Sequence, residues 1–248
     1  MQYHKMANAS NHIYFRMGGN VLLLLAHIAN VVVMFILLSS DIMVEKDLAQ
    51  FHSMQWQYIT VWNLGFQIAH LACILFCDLH DVFDIPEHKL TPFLPKLRQY
   101  HNVFVSSIMW PITVGIFTLF WPVYTFDREL VFPEFIDKVL PQGCNHMMHT
   151  FIIPVALWDI LCRPRGTPKS HQFNVISLGI LYVVYFIVVF ENYFRRGIWP
   201  YGILNQIYGT IYFPILMGSI GVLLLFCYNL QWRLLSIIHG DRQAKKIK

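Results

Sequence analysis

Two histidines at the end of a charged turn are the residues best suited to chemistry in this sequence. Residues 121–150 read WPVYTFDRELVFPEFIDKVLPQGCNHMMHT, so charged residues, prolines and a histidine pair lie between two apolar segments. His146 and His149 stand three positions apart. An imidazole is the commonest general base in enzymes and a common metal ligand. Residues 121–150 are therefore where we look for an active site.

The elements that position these residues are membrane helices. The chain is 56% hydrophobic and only 13% charged, with a mean hydropathy of +0.48, which is unusual for a soluble domain of 248 residues. A bilayer core of about 30 Å needs roughly 17–25 apolar residues per helix. Six stretches meet or approach that length: 21–38, 58–77, 103–121, 145–161, 175–190 and 208–230. We predict an all-α fold, a polytopic transmembrane helical bundle of about six spans in one domain over 1–248. The short fourth and fifth stretches leave five or seven crossings open.

The basic residues predict how the bundle is oriented. Of the 18 Lys and Arg residues, 13 lie in the N-terminus, the second and fourth loops and the C-terminus, and 5 lie in the other loops. By the positive-inside rule both termini are cytoplasmic, so the sequon at Asn8 should carry no glycan. The chain ends in KKIK, which resembles a dilysine signal for retrieval to the endoplasmic reticulum. We therefore predict a multi-pass protein of that membrane, with the plasma membrane as the alternative.

A polar stripe runs along the second span. Thr60, Asn63, Gln67 and His70 fall within an arc of about 80°, because successive helical residues are 100° apart. Such a stripe is costly in lipid and must face protein or water. We predict that Asn63 and Gln67 join helices by hydrogen bonds.

The predicted topology places two polar pairs at matching depths. The second and fourth spans both run inward, so Thr60 and His149 lie at equal depth, about 5–8 Å below the helix starts at 1.5 Å per residue. Asn145, His149 and Asp159 share one face of the fourth span. His70 and Asp159 are each ten residues further along. We therefore predict that His70 and Asp159 face each other.

Three short motifs carry a family resemblance. They are D-R-E-L at 127–130 followed by Pro133, N-H-M-M-H-T at 145–150, and W-Q-Y-I-T at 56–60. With these motifs the sequence resembles the androgen-induced gene family of multi-pass membrane threonine hydrolases, in detail over 117–154 and in segment order elsewhere. The resemblance implies that Thr60 is the nucleophile and His149 the base in hydrolysis of fatty acid esters of hydroxy fatty acids. No cofactor is implied, and the partners are the membrane and a lipid ester.

Other interpretations of the polar residues stay open. Asn145, one turn before His149, is a candidate to orient the imidazole or to donate to an oxyanion, and helix packing is the alternative. A zinc hydrolase of ceramidase type would use His146 and His149 with Asp137 or Glu191 as third ligand. A transporter or proton pathway would use the histidines and the aspartate inside the spans, His27, His70 and Asp159. Nucleic acid is not indicated, because the basic residues lie in short loops. The sequence does not indicate an oligomeric state.

Overall fold

All regular structure is helical in the residues described, which are 2–39, 45–83 and 93–240 of this computed structural model. The ten α-helices are α1 Gln2–Leu38, α2 Lys46–Ser53, α3 Ile59–Val82, α4 Phe93–Phe104, α5 Trp110–Phe126, α6 Gln142–His149, α7 Ile152–Cys162, α8 Gln172–Arg196, α9 Gly202–Ile207 and α10 Tyr212–His239. A π-helical turn, Val105–Met109, joins α4 to α5. The predicted all-α class is confirmed.

Five helical segments of the described chain are long and apolar enough to cross a membrane. They are His12–Leu38, Ile59–Val82, Phe93–Phe126, Gln172–Arg196 and Tyr212–His239. Each is longer than the predicted stretch because the helices continue past the apolar core into polar ends that pair with one another. The Arg16 Nη2 on α1, for example, lies 2.7 Å from the Asp78 Oδ1 on α3, and this carboxylate is buried.

The fourth predicted span, 145–161, is broken in two. Helix α6 ends at His149, residues 150–151 form a turn, and α7 begins at Ile152. Pro154 explains the break, because a proline has no N–H for the carbonyl four residues earlier and its ring crowds that carbonyl. The Thr150 carbonyl, which Pro154 leaves without a donor, instead accepts from the Ile153 N–H over 3.1 Å. Together the two helices still cross the bundle.

Both ends of the described chain lie at one end of the bundle, here called the terminal end. Arg16, near the start of the apolar span His12–Leu38 within α1, and Arg163 after α7 both bind Asp78. A ring nitrogen of His239, the last residue of α10, is 2.6 Å from the Ile160 carbonyl. Residues 121–150 lie at the opposite end, here called the loop end.

A buried polar network joins four helices in the middle of the bundle. The Gln67 side chain donates to Thr113 Oγ1 and to the Ile152 carbonyl, both over 3.1 Å. Thr113 in turn donates to Asn63 Oδ1 over 2.9 Å, and His27 Nε2 donates to Gln67 Oε1 over 2.9 Å. The prediction that Asn63 and Gln67 connect helices is confirmed.

The segment between α5 and α6 covers the loop end. Its apolar side chains Phe132, Ile136 and Leu140 are buried against helices α2 and α6. Its charged residues form the outer face, where Arg128 Nη2 donates to Asp137 Oδ2 over 2.8 Å. Gly202 of α9 packs against this segment so closely that a Cβ there would lie 2.6 Å from the Glu129 carbonyl oxygen. The segment is therefore a packed amphipathic cover rather than a solvated loop.

Candidate active site

A mostly apolar cavity of about 210 Å³ lies beneath the cover at the loop end. Residues of α3, α5, α6, α8 and α10 form its walls, and Phe132 and Ile136 of the cover form its roof. Thr60 and His149 both line it. The two residues that the family resemblance singled out, 89 positions apart in the chain, thus border one cavity.

Thr60 occupies the first turn of α3. The preceding 3₁₀ turn, Gln55–Gln57, brings the chain to Tyr58, whose extended backbone begins the helix. The main-chain N–H groups of a first helical turn have no acceptor within the helix. Among the described residues nothing accepts from the Thr60 N–H, and the Thr60 hydroxyl makes no hydrogen bond. Thr60, which lines the cavity, therefore has a hydroxyl and a helix N-terminal N–H that are both without a partner among the described residues.

A chain of hydrogen bonds fixes this first turn. The Ile59 N–H donates to the Tyr201 hydroxyl over 3.2 Å. The Tyr201 and Tyr185 hydroxyl oxygens are 3.0 Å apart, and Tyr185 donates to the Gln57 carbonyl over 3.0 Å. Because the Tyr185 hydroxyl donates its hydrogen to the Gln57 carbonyl, Tyr201 must be the donor in the hydrogen bond between the two phenols. Burial raises the pKa of Tyr201, so its hydroxyl stays protonated and able to donate.

His149 lies in the last turn of α6 with only 5% of its surface exposed. Its Nδ1–H donates to the Asn145 carbonyl over 2.9 Å, which leaves Nε2 with the lone pair. The ring stacks on Phe120, with centroids 3.5 Å apart and planes at 14°. Within the described residues Nε2 has no hydrogen-bond partner. The imidazole is thus held in one tautomer with its basic nitrogen free.

Asn145 acts on His149 through its backbone. The group that holds the imidazole is the Asn145 carbonyl, whereas the Asn145 side chain is absent from the cavity wall. The side-chain oxygen is buried and has no partner within the described part of the chain. The orienting role suggested for Asn145 thus falls to its carbonyl, and an oxyanion role of its side chain stays a prediction.

The ligands proposed for a zinc site are dispersed. His146 stacks on Trp121 and lies 3.1 Å from the Thr150 hydroxyl, outside the cavity. Asp137 is paired with Arg128 on the outer face. Glu191 is paired with Arg195 of its own helix over 2.5 Å. Over residues 2–39, 45–83 and 93–240, no three His, Cys, Asp or Glu side chains converge as a metal site.

His70 and Asp159 meet near the terminal end, as the equal spacing predicted. His70 Nε2 lies 3.7 Å from Asp159 Oδ1, and both side chains are buried. Each also has a nearer partner. Asp159 pairs closely with Arg165, and His70 Nδ1 lies 2.9 Å from His101 Nε2. In the described residues no hydrogen bond connects this group to His27, whose ring bonds to Leu23 and Gln67.

The tyrosines that hold the first turn of α3 are the site residues that sequence reasoning missed. Tyr185 lies in an apolar span, and Tyr201 follows it in a loop with Trp199. Aromatic residues in such places are typical of the membrane interface. Trp199 is instead buried at 4% exposure, packed parallel to Tyr193 with centroids 4.2 Å apart. This loop folds inward against the bundle.

The arrangement has three parts of an acyl-transfer site. A hydroxyl and an imidazole with a free Nε2 border the same cavity, and Thr60 also carries an unpaired main-chain N–H at a helix start, the kind of donor that an oxyanion needs. The positive end of the α3 dipole favours a developing negative charge near Thr60. Thr60 and His149 are not hydrogen-bonded to each other in this structure. Such bonds often form only with substrate present.

Comparison with known proteins gives the family. Human androgen-dependent TFPI-regulating protein is 26% identical over 153 residues, which are 62% of this chain and 64% of that protein. The match thus covers less than two thirds of the human protein. The mouse protein of the same name is 29% identical over 66% of this chain and 69% of its own length. Human androgen-induced gene 1 protein is 25% identical over 75% and 79%. No solved structure matches significantly. The profile of FAR-17a/AIG1-like proteins matches residues 22–232, and this multi-pass membrane protein therefore belongs to the FAR-17a/AIG1-like family.

Proposed function

We propose that this protein hydrolyses lipid esters inside the membrane, with Thr60 as nucleophile and His149 as general base. The observation that carries the proposal is that Thr60 and His149 border one apolar cavity while the His149 Nδ1–H is anchored to the Asn145 carbonyl. That anchor leaves Nε2 as the nitrogen able to take the Thr60 proton.

The reaction proceeds in two steps. The Thr60 oxygen attacks the ester carbonyl carbon while His149 Nε2 takes the hydroxyl proton, and the Thr60 N–H donates to the oxyanion. The carbon–oxygen bond to the alcohol then breaks, and His149 returns the proton to the departing oxygen. Water attacks the acyl-threonine, again losing a proton to His149. Thr60 is released with that proton, and the products are a carboxylic acid and an alcohol.

The substrate class we propose is fatty acid esters of hydroxy fatty acids. The walls of the cavity are aliphatic and aromatic side chains, which suit hydrocarbon chains on both sides of an ester. The family resemblance of the D-R-E-L and N-H-M-M-H-T motifs points to the same class. The cover above Thr60 packs its apolar face inward, so the chains of a lipid are favoured there over a polar substrate.

The direct test is turnover of such an ester by purified protein and its variants. Because nucleophile and base act as one unit, Thr60→Ala, His149→Ala and the double variant should each lose at least about a thousandfold in kcat, with little further loss in the double variant. Thr60→Ser keeps a hydroxyl and should retain part of the activity. A fluorophosphonate probe should label the wild type and leave Thr60→Ala unlabelled.

Two matched controls separate chemistry from folding. Thr125→Ala removes an exposed threonine of α5, and His146→Ala removes the neighbouring histidine outside the cavity. Both should retain activity and normal amounts in the membrane. Substantial hydrolysis by well-folded Thr60→Ala would reject the nucleophile. Loss of activity in His146→Ala together with inhibition by a chelator would favour the zinc alternative.

We also propose that the protein resides in the endoplasmic reticulum. Lys245 and Lys246 form the lysine pair of the sequence K-K-I-K at 245–248, in a tail that lies outside the described residues. Replacing both with Ser should release an internally tagged protein to the plasma membrane. Unchanged location would remove the support that the tail gives to this compartment.

A further inference from the structure

A second apolar depression lies on the outer surface of the bundle, along the loop-end half of α8. It is a groove of about 620 Å³, bordered by a stripe of residues spaced three or four positions apart on one helical face. Its lining residues are Tyr182, Val183, Phe186, Ile187, Phe190, Glu191, Phe194, Arg195 and Met217. Several of these side chains are strongly exposed, Val183 at 54% and Ile187 at 60%. In a membrane helix this surface faces lipid.

The groove and the internal cavity share a wall. Tyr182 and Phe186 of α8 and Met217 of α10 border both spaces. The Tyr182 hydroxyl donates to the Met217 carbonyl over 2.6 Å, and its ring lies against Gly221, where a Cβ would be 3.9 Å from the Tyr182 Cζ. These three residues therefore lie between the lipid-facing groove and the cavity that Thr60 lines.

A lipid with two fatty chains is too large to fit in the cavity alone. Pockets that enclose a drug-sized ligand measure about 300–1,000 Å³, and the cavity has about 210 Å³. It has room for the ester group and part of a chain. The rest of the lipid must lie outside it, and the groove adjoins it on the side where lipid is available.

The polarity of the groove fits a hydrocarbon chain. Its floor and sides are aliphatic and aromatic, and its charged members form one pair, Glu191 and Arg195, with atoms 2.5 Å apart. The Tyr182 hydroxyl is already bonded to Met217. Within the described residues the groove thus offers no unpaired polar group to a polar ligand, and its only charges lie toward the end of α8, at the loop end.

We propose that this groove is the acyl-chain subsite of the lipid ester, and that the chain passes between α8 and α10 at the wall formed by Tyr182 and Met217. The inference rests on the proposed function and deepens it. One fatty chain lies in the groove while the ester reaches Thr60, so a lipid reaches the site laterally from the bilayer. Substrates without a long chain do not use the groove.

Two adjacent valines of α8 provide a matched test. Val183 lines the groove, whereas Val184 is also exposed, at 42%, and lines neither space. In Val183→Trp the bulky ring occupies the groove. We expect kcat/KM for a long-chain ester of a hydroxy fatty acid to fall at least about tenfold, as removal of a few methylene contacts does. Hydrolysis of p-nitrophenyl butyrate should be unchanged. Val184→Trp should match the wild type with both substrates.

A second readout does not depend on turnover. In inactive Thr60→Ala protein, a photoreactive diazirine fatty acid ester should label a peptide containing 182–195, and the label should be lost with Val183→Trp but not with Val184→Trp. If labelling follows this pattern while the wild type hydrolyses neither ester, the proposed function fails and the subsite stands. If the wild type is active and the two tryptophan variants behave alike in both assays, the subsite is rejected. Crosslinks between two protein copies at α8 would assign the groove to an oligomer instead.

Discussion

The main-chain N–H of Ile59 donates to the hydroxyl of Tyr201 over 3.2 Å, across 142 residues of sequence. Ile59 precedes the proposed nucleophile Thr60, so the loop after α8 holds the helix start in which the Thr60 hydroxyl lies. Tyr201 also bonds to Tyr185, and Tyr185 bonds to the turn before α3. We therefore predict that Tyr201 is a positioning residue, acting on Thr60 through the backbone.

Tyr201→Phe should lower kcat for ester hydrolysis by about tenfold. The change leaves the Ile59 N–H without its acceptor, which costs about 1–3 kcal/mol for a buried donor, and it loosens the turn that aims Thr60. The ring remains, so KM should change little. Kinetics with one lipid ester at saturating and subsaturating concentrations would separate the two constants.

The control for this prediction is Tyr208→Phe. Tyr208 lies in the same region, and within the described residues its hydroxyl makes no hydrogen bond, so this variant should keep both kinetic constants. A purely structural role for Tyr201 would lower the amount of folded protein and leave kcat per folded molecule intact. Equal kcat in the two variants would contradict the positioning role.

The family resemblance singled out Thr60 and His149, and helix order and depth predicted that the two residues lie at the same level of the bundle. Charge asymmetry gave the direction of the spans, and the 1.5 Å rise gave Thr60 and His149 a common depth. The same reasoning placed His70 opposite Asp159, and the structure confirms it at 3.7 Å. The relative depth of two residues follows from the direction of their spans and the helical rise, so it can be predicted before the side-chain packing is known.

The tyrosine chain and the cover could not be predicted in this way. Tyr185 and Tyr201 act through contacts between segments distant in sequence, and their residue type suits the membrane interface equally well. The cover contains Phe132 and Ile136 among charged residues, and no period distinguishes its buried side chains from its exposed ones. The break in the fourth span had a local signal in Pro154, which outweighs the apolar composition around it.

Asn145→Ala should change hydrolysis by less than about tenfold. The His149 anchor is the main-chain carbonyl of residue 145, and alanine retains it. Removal of an oxyanion donor would instead cost about 10²- to 10³-fold in kcat. A loss of that size in well-folded Asn145→Ala would show that the side chain reaches the reacting ester during turnover.

Replacement of Asp159 should lower the free energy of unfolding more than replacement of its neighbour His70 near the terminal end. Asp159→Leu leaves Arg165 buried without its carboxylate, at a cost of about 3–5 kcal/mol. His70→Leu removes the weaker contact and should cost about 1–2 kcal/mol. Since the two side chains meet, the double variant should cost less than the sum, with a coupling of about 0.5–3 kcal/mol. Unfolding in detergent micelles, followed by tryptophan fluorescence, would measure all three. Strict additivity would mean that the pair does not interact.

The orientation of the bundle can be tested with single cysteines at its two ends. Arg16, Arg163 and Arg165 lie at the terminal end, and the positive-inside rule makes that end cytoplasmic. Lys169, exposed after α7, and Glu129, exposed in the cover, lie at opposite ends. In sealed microsomes, whose outer face is cytoplasmic, a membrane-impermeant maleimide should label Lys169→Cys directly and Glu129→Cys only after detergent. The unsubstituted chain, with its five native cysteines, provides the background labelling.

The reverse labelling pattern would place Thr60 and His149 in the cytoplasmic half of the membrane, so the lipid ester would then come from the cytoplasmic leaflet.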